Sequence, residues 1–146
     1  MRGWLNRMCV GVAGWMAGVL LASTAMAQPG AIDLTSGWEV EPSEGNAGKV
    51  EYVTTKEGAP AMRLHYQFKT GSGFVIARKV IDRTMPPNYA FTYDLGGSPA
   101  RQTIEFKQLD DSKLNVWWVN SRNVDIGERS SRRHLKRHFE FAWGPT

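Results

Sequence analysis

The block Val116-Trp117-Trp118-Val119 gathers the side chains best suited to binding chemistry in this sequence. Successive side chains of a strand point to opposite faces, so the two indoles would stand on opposite sides of a sheet. An indole displayed beside Asn120, Arg122 or Asn123 suits a sugar: a flat apolar ring for C–H faces, planar amide and guanidinium groups for hydroxyls. Both rings could equally serve structure, one in the core and one against a loop. Hydrolysis by paired carboxylates needs two acids held close together in a cleft. Glu105, Asp110 and Asp111 read instead as solvated charges on turns and polar strand faces. A calcium ion could be held by Asp33, Asp110 or a turn carbonyl, because hard cations often tie such loops. No spacing here specifies one, and no cofactor is expected.

His134 and His138 are four apart, and in a strand that places them about 13 Å from one another on one face. Such a pair cannot share a metal. The chain lacks a phosphate-cradling Gly-x-x-x-x-Gly-Lys run, a Gly-x-Gly-x-x-Gly after a strand, and a Gly-x-Ser-x-Gly elbow. No catalytic residue is assigned, and a noncatalytic protein is expected. The run from Arg129 to His138 carries Arg129, Arg132, Arg133, Lys136 and Arg137, which could contact phosphates. Leu135, Phe139 and Phe141 make part of that run a strand, whose alternate basic side chains then face water. Nucleic acid is not the expected partner.

The elements that must position these groups begin after a leader. Arg2 and Arg7 flank an apolar run from Met8 to Ala22, followed by Ser23, Thr24 and Ala25-Met26-Ala27. A positive start, a short apolar stretch and small residues at the exit are the pattern of a secretory signal peptide over residues 1–27. The run is shorter than the roughly 20 residues a membrane-spanning helix needs, and no second apolar segment follows, so no transmembrane segment is expected after cleavage. Export to the periplasm or the exterior would remove Cys9, the only cysteine of the 146 residues, and with it any disulfide. Of 18 Lys and Arg, Arg2 and Arg7 would be lost, while all 14 Asp and Glu would remain. The net charge of +4 falls to about +2.

Residues 28–146 then read as one domain of short strands. Met62, Leu64, Tyr66 and Phe68 alternate with Arg63, His65, Gln67 and Lys69, the period of a half-buried strand. Thr70-Gly71-Ser72-Gly73 separates that run from Phe74-Val75-Ile76-Ala77, which suggests a hairpin or adjacent strands. Further strands are predicted at 37–41, 50–55, 89–93, 103–109, 114–119 and 134–142, between Gly, Pro, Asn and Asp turns. Two prolines at Pro86-Pro87 forbid a central strand there. No segment carries a helical apolar period. These features predict an all-β fold, an antiparallel β-sandwich.

Several blocks occur together in order: Gly73 to Lys79, Asn88 to Phe91, Ile104 to Asp110, Asn115 to Arg122, and Lys136 to Pro145. The Asn-Val-Trp-Trp and Phe-Ala-Trp-Gly-Pro blocks are the most specific of them. Together they resemble the N-terminal galactose-binding-like β-sandwich of secreted bacterial proteins of the discoidin-domain and glycoside-hydrolase-related kind. The resemblance runs from about Ile32 onward. It implies a jelly roll similar to carbohydrate-binding modules, with Trp118, Asn120, Arg122 and Trp143 on a ligand face and Arg78 and Lys107 as polar partners. Relatives of that kind continue past Trp-Gly-Pro into further strands, so the resemblance implies a fragment-like sandwich without its closing strands. The expected partner is a polysaccharide or glycan. The alternative is a partner domain or chain that covers an exposed sheet edge.

Overall fold

Alternation of large apolar and polar side chains makes strands of nearly every ordered run, and the chain folds as an all-β domain of two antiparallel sheets. The computed structural model describes residues 6–13, 17–22, 30–69 and 71–145, with 6–13 and 17–22 described by their backbone pairing alone. The first part of the leader, with Arg2, and its junction Ala25-Met26-Ala27 lie outside the described residues, as do Thr70 and Thr146. The strands are β1 (Asn6–Ala13), β2 (Ala17–Ala22), β3 (Glu39–Pro42), β4 (Ala47–Thr54), β5 (Pro60–Gln67), β6 (Val75–Ile81), β7 (Ala90–Gly97), β8 (Arg101–Leu109), β9 (Val116–Asp125), β10 (Ser130–Leu135) and β11 (Glu140–Trp143). One sheet has the order β11-β9-β8-β1-β6-β3 and the other β10-β7-β2-β5-β4. Among the described residues no helix is long and apolar enough to cross a membrane.

The sheets meet through their apolar faces, as in a β-sandwich. Met62, Leu64 and Tyr66 on β5 and Leu95 on β7 pack with Val75 and Ala77 on β6 and Ile104 and Phe106 on β8. The ring of Phe106 sits among Phe91, Tyr93 and Phe139 at centroid distances of 5.1, 5.4 and 5.7 Å. Two polar side chains enter this layer, Gln102 and Gln108. Tyr89 donates its hydroxyl to Gln108 Oε1 at 2.7 Å, and Gln102 Nε2 donates to the Pro99 carbonyl at 3.3 Å. These bonds offset part of the cost of burying two amides.

Two expectations from sequence are corrected in detail. β5 and β6 are not a hairpin: they belong to different sheets, and the Gly71-Ser72-Gly73 link carries the chain across the sandwich. Asn46 holds that link by donating its amide to the Ser72 carbonyl at 3.1 Å. The predicted strand over 134–142 is broken by a 3-10 turn at Lys136–His138. It leaves β10 against β7 and sends β11 to the other sheet against β9. His134 and His138 therefore do not share a strand face. Asn6–Ala13 and Ala17–Ala22, within residues 1–27, pair as interior strands of the two sheets. A short, mostly apolar run meets the demands of a mid-sheet strand as well as those of a leader.

Candidate functional site

β8 alternates strictly: Gln102, Ile104, Phe106 and Gln108 are buried, while Thr103, Glu105 and Lys107 face outward. Register carries that outward row onto β9, where Lys107 lies opposite Trp118 and Glu105 opposite Asn120. On β11, Glu140 lies opposite Trp118, and a bulge between Phe141 and Trp143 brings Trp143 opposite Val116. The bulge adds a residue to one strand and re-aims the side chain that follows. The Trp143 ring then meets the Trp118 ring edge-on, centroids 5.8 Å apart at 84°.

A cation sits where the two indoles converge. Lys107 Nζ lies 5.6 Å from the Trp118 centroid and 5.2 Å from that of Trp143. It also forms an ion pair with Glu105 Oε2 at 2.6 Å, with 12% of the Lys107 side chain and 24% of the Glu105 side chain exposed. Asn120 Nδ2 donates to Glu105 Oε1 at 3.4 Å. The other amide atom, Asn120 Oδ1, is buried and has no hydrogen-bond partner among the described residues. An unpaired buried carbonyl is costly and is ready to accept a hydrogen bond. Trp143 itself remains 49% exposed, so the cluster presents one anchored indole to solvent.

The second indole of the pair turns the other way. Trp117 lies opposite Gln108 on β8 and meets Phe141 at 5.8 Å and 67°. Trp117 thus belongs to the inner side of its sheet and Trp118 to the outer side.

The structure brings Lys107, Trp118, Asn120 and Trp143 together and adds Glu105, which sequence reasoning passed over as a solvated strand-face carboxylate. Its position two residues before Lys107, on the same face, was the available signal. Arg78 shares the outer face but stands apart. Across the sheet the row runs Glu39, Arg78, Cys9, Lys107, Trp118 and Glu140, so Arg78 is two strand spacings, about 10 Å, from Lys107. Its guanidinium is held by Glu39 at 3.0 Å and Glu41 at 2.8 Å. A groove of about 250 Å³ opens there, lined by Ser36, Gly37, Glu39, Arg78, Lys79 and Val80. Arg122 is exposed beside the irregularity that pairs Gln102 with Val124 and Ile104 with Ser121.

The loop that could have held a cation holds an ammonium. Lys79 Nζ donates to the Asp33 carbonyl at 2.9 Å, to Asp33 Oδ2 at 3.0 Å and to the Ser36 carbonyl at 2.7 Å. Hydrogen bonds from the Ser36 hydroxyl, then Thr35, then Lys79 hold the Asp33 carboxyl well below the usual carboxylate range. The Asp110 carboxylate receives Ser112 Oγ at 2.6 Å and Asn115 Nδ2 at 2.8 Å.

The basic run is largely occupied within the fold. Arg129 binds Asp94 at 2.7 Å and Glu57 at 2.9 Å. Arg132 donates to the Asp125 carbonyl and Lys136 to that of Pro87, each at 2.8 Å. Arg133 and Arg137 are exposed. His134 is half-buried against Phe106 and Tyr93. Burial, and then the nearby His138 and Arg132, push the His134 pKa down. Burial also raises the Tyr93 pKa, and its hydroxyl is hydrogen-bonded to His134 Nε2 at 2.8 Å, the donor being set by the ring tautomer.

No family model, no curated protein and no solved structure matches the chain.

Proposed function

We propose that this is a noncatalytic, exported carbohydrate-binding-like module of the galactose-binding-like jelly-roll kind. The single observation that carries the reading is the half-exposed Trp143 ring, braced edge-on by Trp118 over Lys107. A rigid indole offers apolar area to a sugar's C–H face without ordering a flexible side chain. Lys107 fixes both rings and lends positive charge to the floor beneath them. Asn120, tied through Nδ2 to Glu105, helps fix the floor of the cluster, and Arg122, exposed on the same strand, is a donor for a sugar hydroxyl. Arg78, paired with Glu39 and Glu41, would meet a ligand long enough to reach across the sheet. No bond is broken in this mechanism. The export part of the reading rests on Arg2, Arg7, the apolar run 8–22 and Ala25-Met26-Ala27.

Titration against a panel of soluble polysaccharides, read by affinity electrophoresis and calorimetry, tests the reading. Binding that is lost in folded Trp143→Ala and weakened in folded Trp118→Ala supports it; no binding by the unaltered protein to any member of the panel removes it.

A second reading has its own observation. Phe141 and Trp143 are 45% and 49% exposed on β11, a four-residue strand at the sheet edge. Aromatic side chains beside open backbone suit a partner domain that packs on that edge. Light scattering that detects a heterocomplex or dimer blocked by Phe141→Asp would favour this reading over sugar binding.

A further inference from the structure

We propose that the ligand of the aromatic cluster is a cationic amino sugar, whose C–H face stacks on Trp143 and whose ammonium pairs with the Glu140 carboxylate. The inference rests on the sugar-binding reading above and adds the charge of the ligand to it. Every residue it uses lies on β8, β9 or β11, so it is independent of residues 1–27.

Glu140 stands on the same outer face as Trp118 and Trp143. It lies opposite Trp118 in the register of β11 with β9, and Trp118 lies opposite Lys107 in that of β9 with β8. The order across the face is therefore Lys107, Trp118, Glu140. Opposed side chains on neighbouring strands have Cβ atoms about 5 Å apart, so Glu140 flanks Trp118 on the side away from Lys107. β11 is the edge strand of its sheet, and Glu140 is exposed there. The irregularity after Phe141 returns the chain to this face at Trp143, three residues on.

Two carboxylates border the cluster, and one cation serves them. Glu105 takes the Lys107 ammonium at 2.6 Å. The Glu140 side chain has no ion pair or hydrogen bond with another described residue, and the Trp118 strand position separates it from Lys107. Arg122, the exposed cation of β9, is four residues from Trp118, about 13 Å along the strand. The face beside Trp143 thus carries one unmatched negative charge. An aromatic ring and a carboxylate together hold an ammonium, the ring through its quadrupole and the acid through a charge-assisted hydrogen bond. The fold already makes this arrangement internally: the Lys107 ammonium lies 5.2 Å from the Trp143 centroid and against Glu105. Glu140 and the exposed part of Trp143 offer the same pair of groups to a ligand. A uronic acid would meet the Glu140 charge with its own, and an N-acetylated sugar would leave it to water. The chain as a whole is positive, at +4, and its general field favours acidic polymers. A preference for a cation can therefore come only from this local arrangement.

The test titrates the full chain by calorimetry, at low salt and a pH where sugar amines are protonated, with tetrasaccharides of glucosamine, N-acetylglucosamine, glucose and glucuronic acid. The glucosamine tetramer should bind roughly fivefold tighter than the N-acetylated one, the scale of one exposed ion pair beside a ring. Glu140→Gln, an exposed change on an edge strand, should bring the ratio of those two affinities to within about twofold of one. Added salt should narrow the ratio in the wild type as well. Tighter or equal binding of a neutral or acidic tetramer would overturn the inference, as would a glucosamine preference that persists in Glu140→Gln. Both results leave sugar binding itself in place. Binding to none of the four, with binding to another polysaccharide of the wider panel, overturns the inference alone; binding to no glycan at all removes the sugar reading and this inference with it.

Discussion

The Lys107 ammonium lies 5.2 Å from the centre of the Trp143 ring, and only 12% of the Lys107 side chain is exposed. The indole that faces solvent is thus set by a cation beneath it. Cation–π contacts contribute about 0.5–1 kcal/mol at exposed sites and about 2 when desolvated. Here Lys107 serves two rings and the Glu105 carboxylate at once, so its loss would loosen Trp118, Trp143 and Glu105 together.

Lys107→Met keeps the length of the side chain and removes its charge. We expect a stability loss of about 1–2 kcal/mol and an altered tryptophan emission in the native state. Urea unfolding followed by fluorescence checks both. An unchanged midpoint and spectrum would mean that the cation does not brace the rings.

Gly144 has φ +142, and a Cβ there would lie 2.7 Å from both Asn115 Cα and the Leu114 carbonyl oxygen. Backbone atoms cannot rotate aside as a flexible side chain can. Gly144→Ala should therefore cost about 1–3 kcal/mol and shift Trp143 without deleting an aromatic ring. Chemical denaturation measures the first effect. Polysaccharide affinity measures the second, and wild-type affinity in a destabilised variant would separate ring placement from binding.

His134 gives the stability a pH dependence of known sign. Its folded pKa lies below the ordinary 6.5, so the unfolded chain takes up the proton first as pH falls. The His134 contribution is present above 6.5 and is lost as pH drops through the folded value. The groups around it are Tyr93, Phe106, Phe139, Arg132 and His138, none of which is a carboxylate that could favour the charged ring. His134→Gln keeps a hydrogen-bonding side chain for Tyr93 and cannot titrate. Urea midpoints of the wild type should fall between pH 8 and pH 5 more steeply than those of the variant; parallel slopes would contradict the assignment.

Local periodicity made much of the fold legible. The predicted strand of Met62, Leu64, Tyr66 and Phe68 is real, and each of those side chains is at most 5% exposed. The opposite faces of Trp117 and Trp118 also followed from alternation alone. Sheet membership did not, because a Gly-rich link fits a hairpin and a crossover equally well; β5 and β6 take the crossover. The break at Lys136–His138 carries no Gly or Pro, and it is set by the chain's passage from β7 to β9 rather than by local preference. Within the candidate site, Trp143 could be named from sequence, but its meeting with Trp118 depends on the bulge after Phe141. Arg78 shows the converse limit: its type suits sugar hydroxyls, while Glu39 and Glu41 from a strand far away in sequence occupy its guanidinium.

Calorimetric titration of the folded protein and of Trp143→Ala with the same polysaccharide tests the central claim most directly. The account predicts measurable binding by the wild type and a loss of at least tenfold, about 1.4 kcal/mol, when the indole is removed, in a variant whose cooperative urea transition shows it is folded. Equal affinity in the two proteins would contradict it.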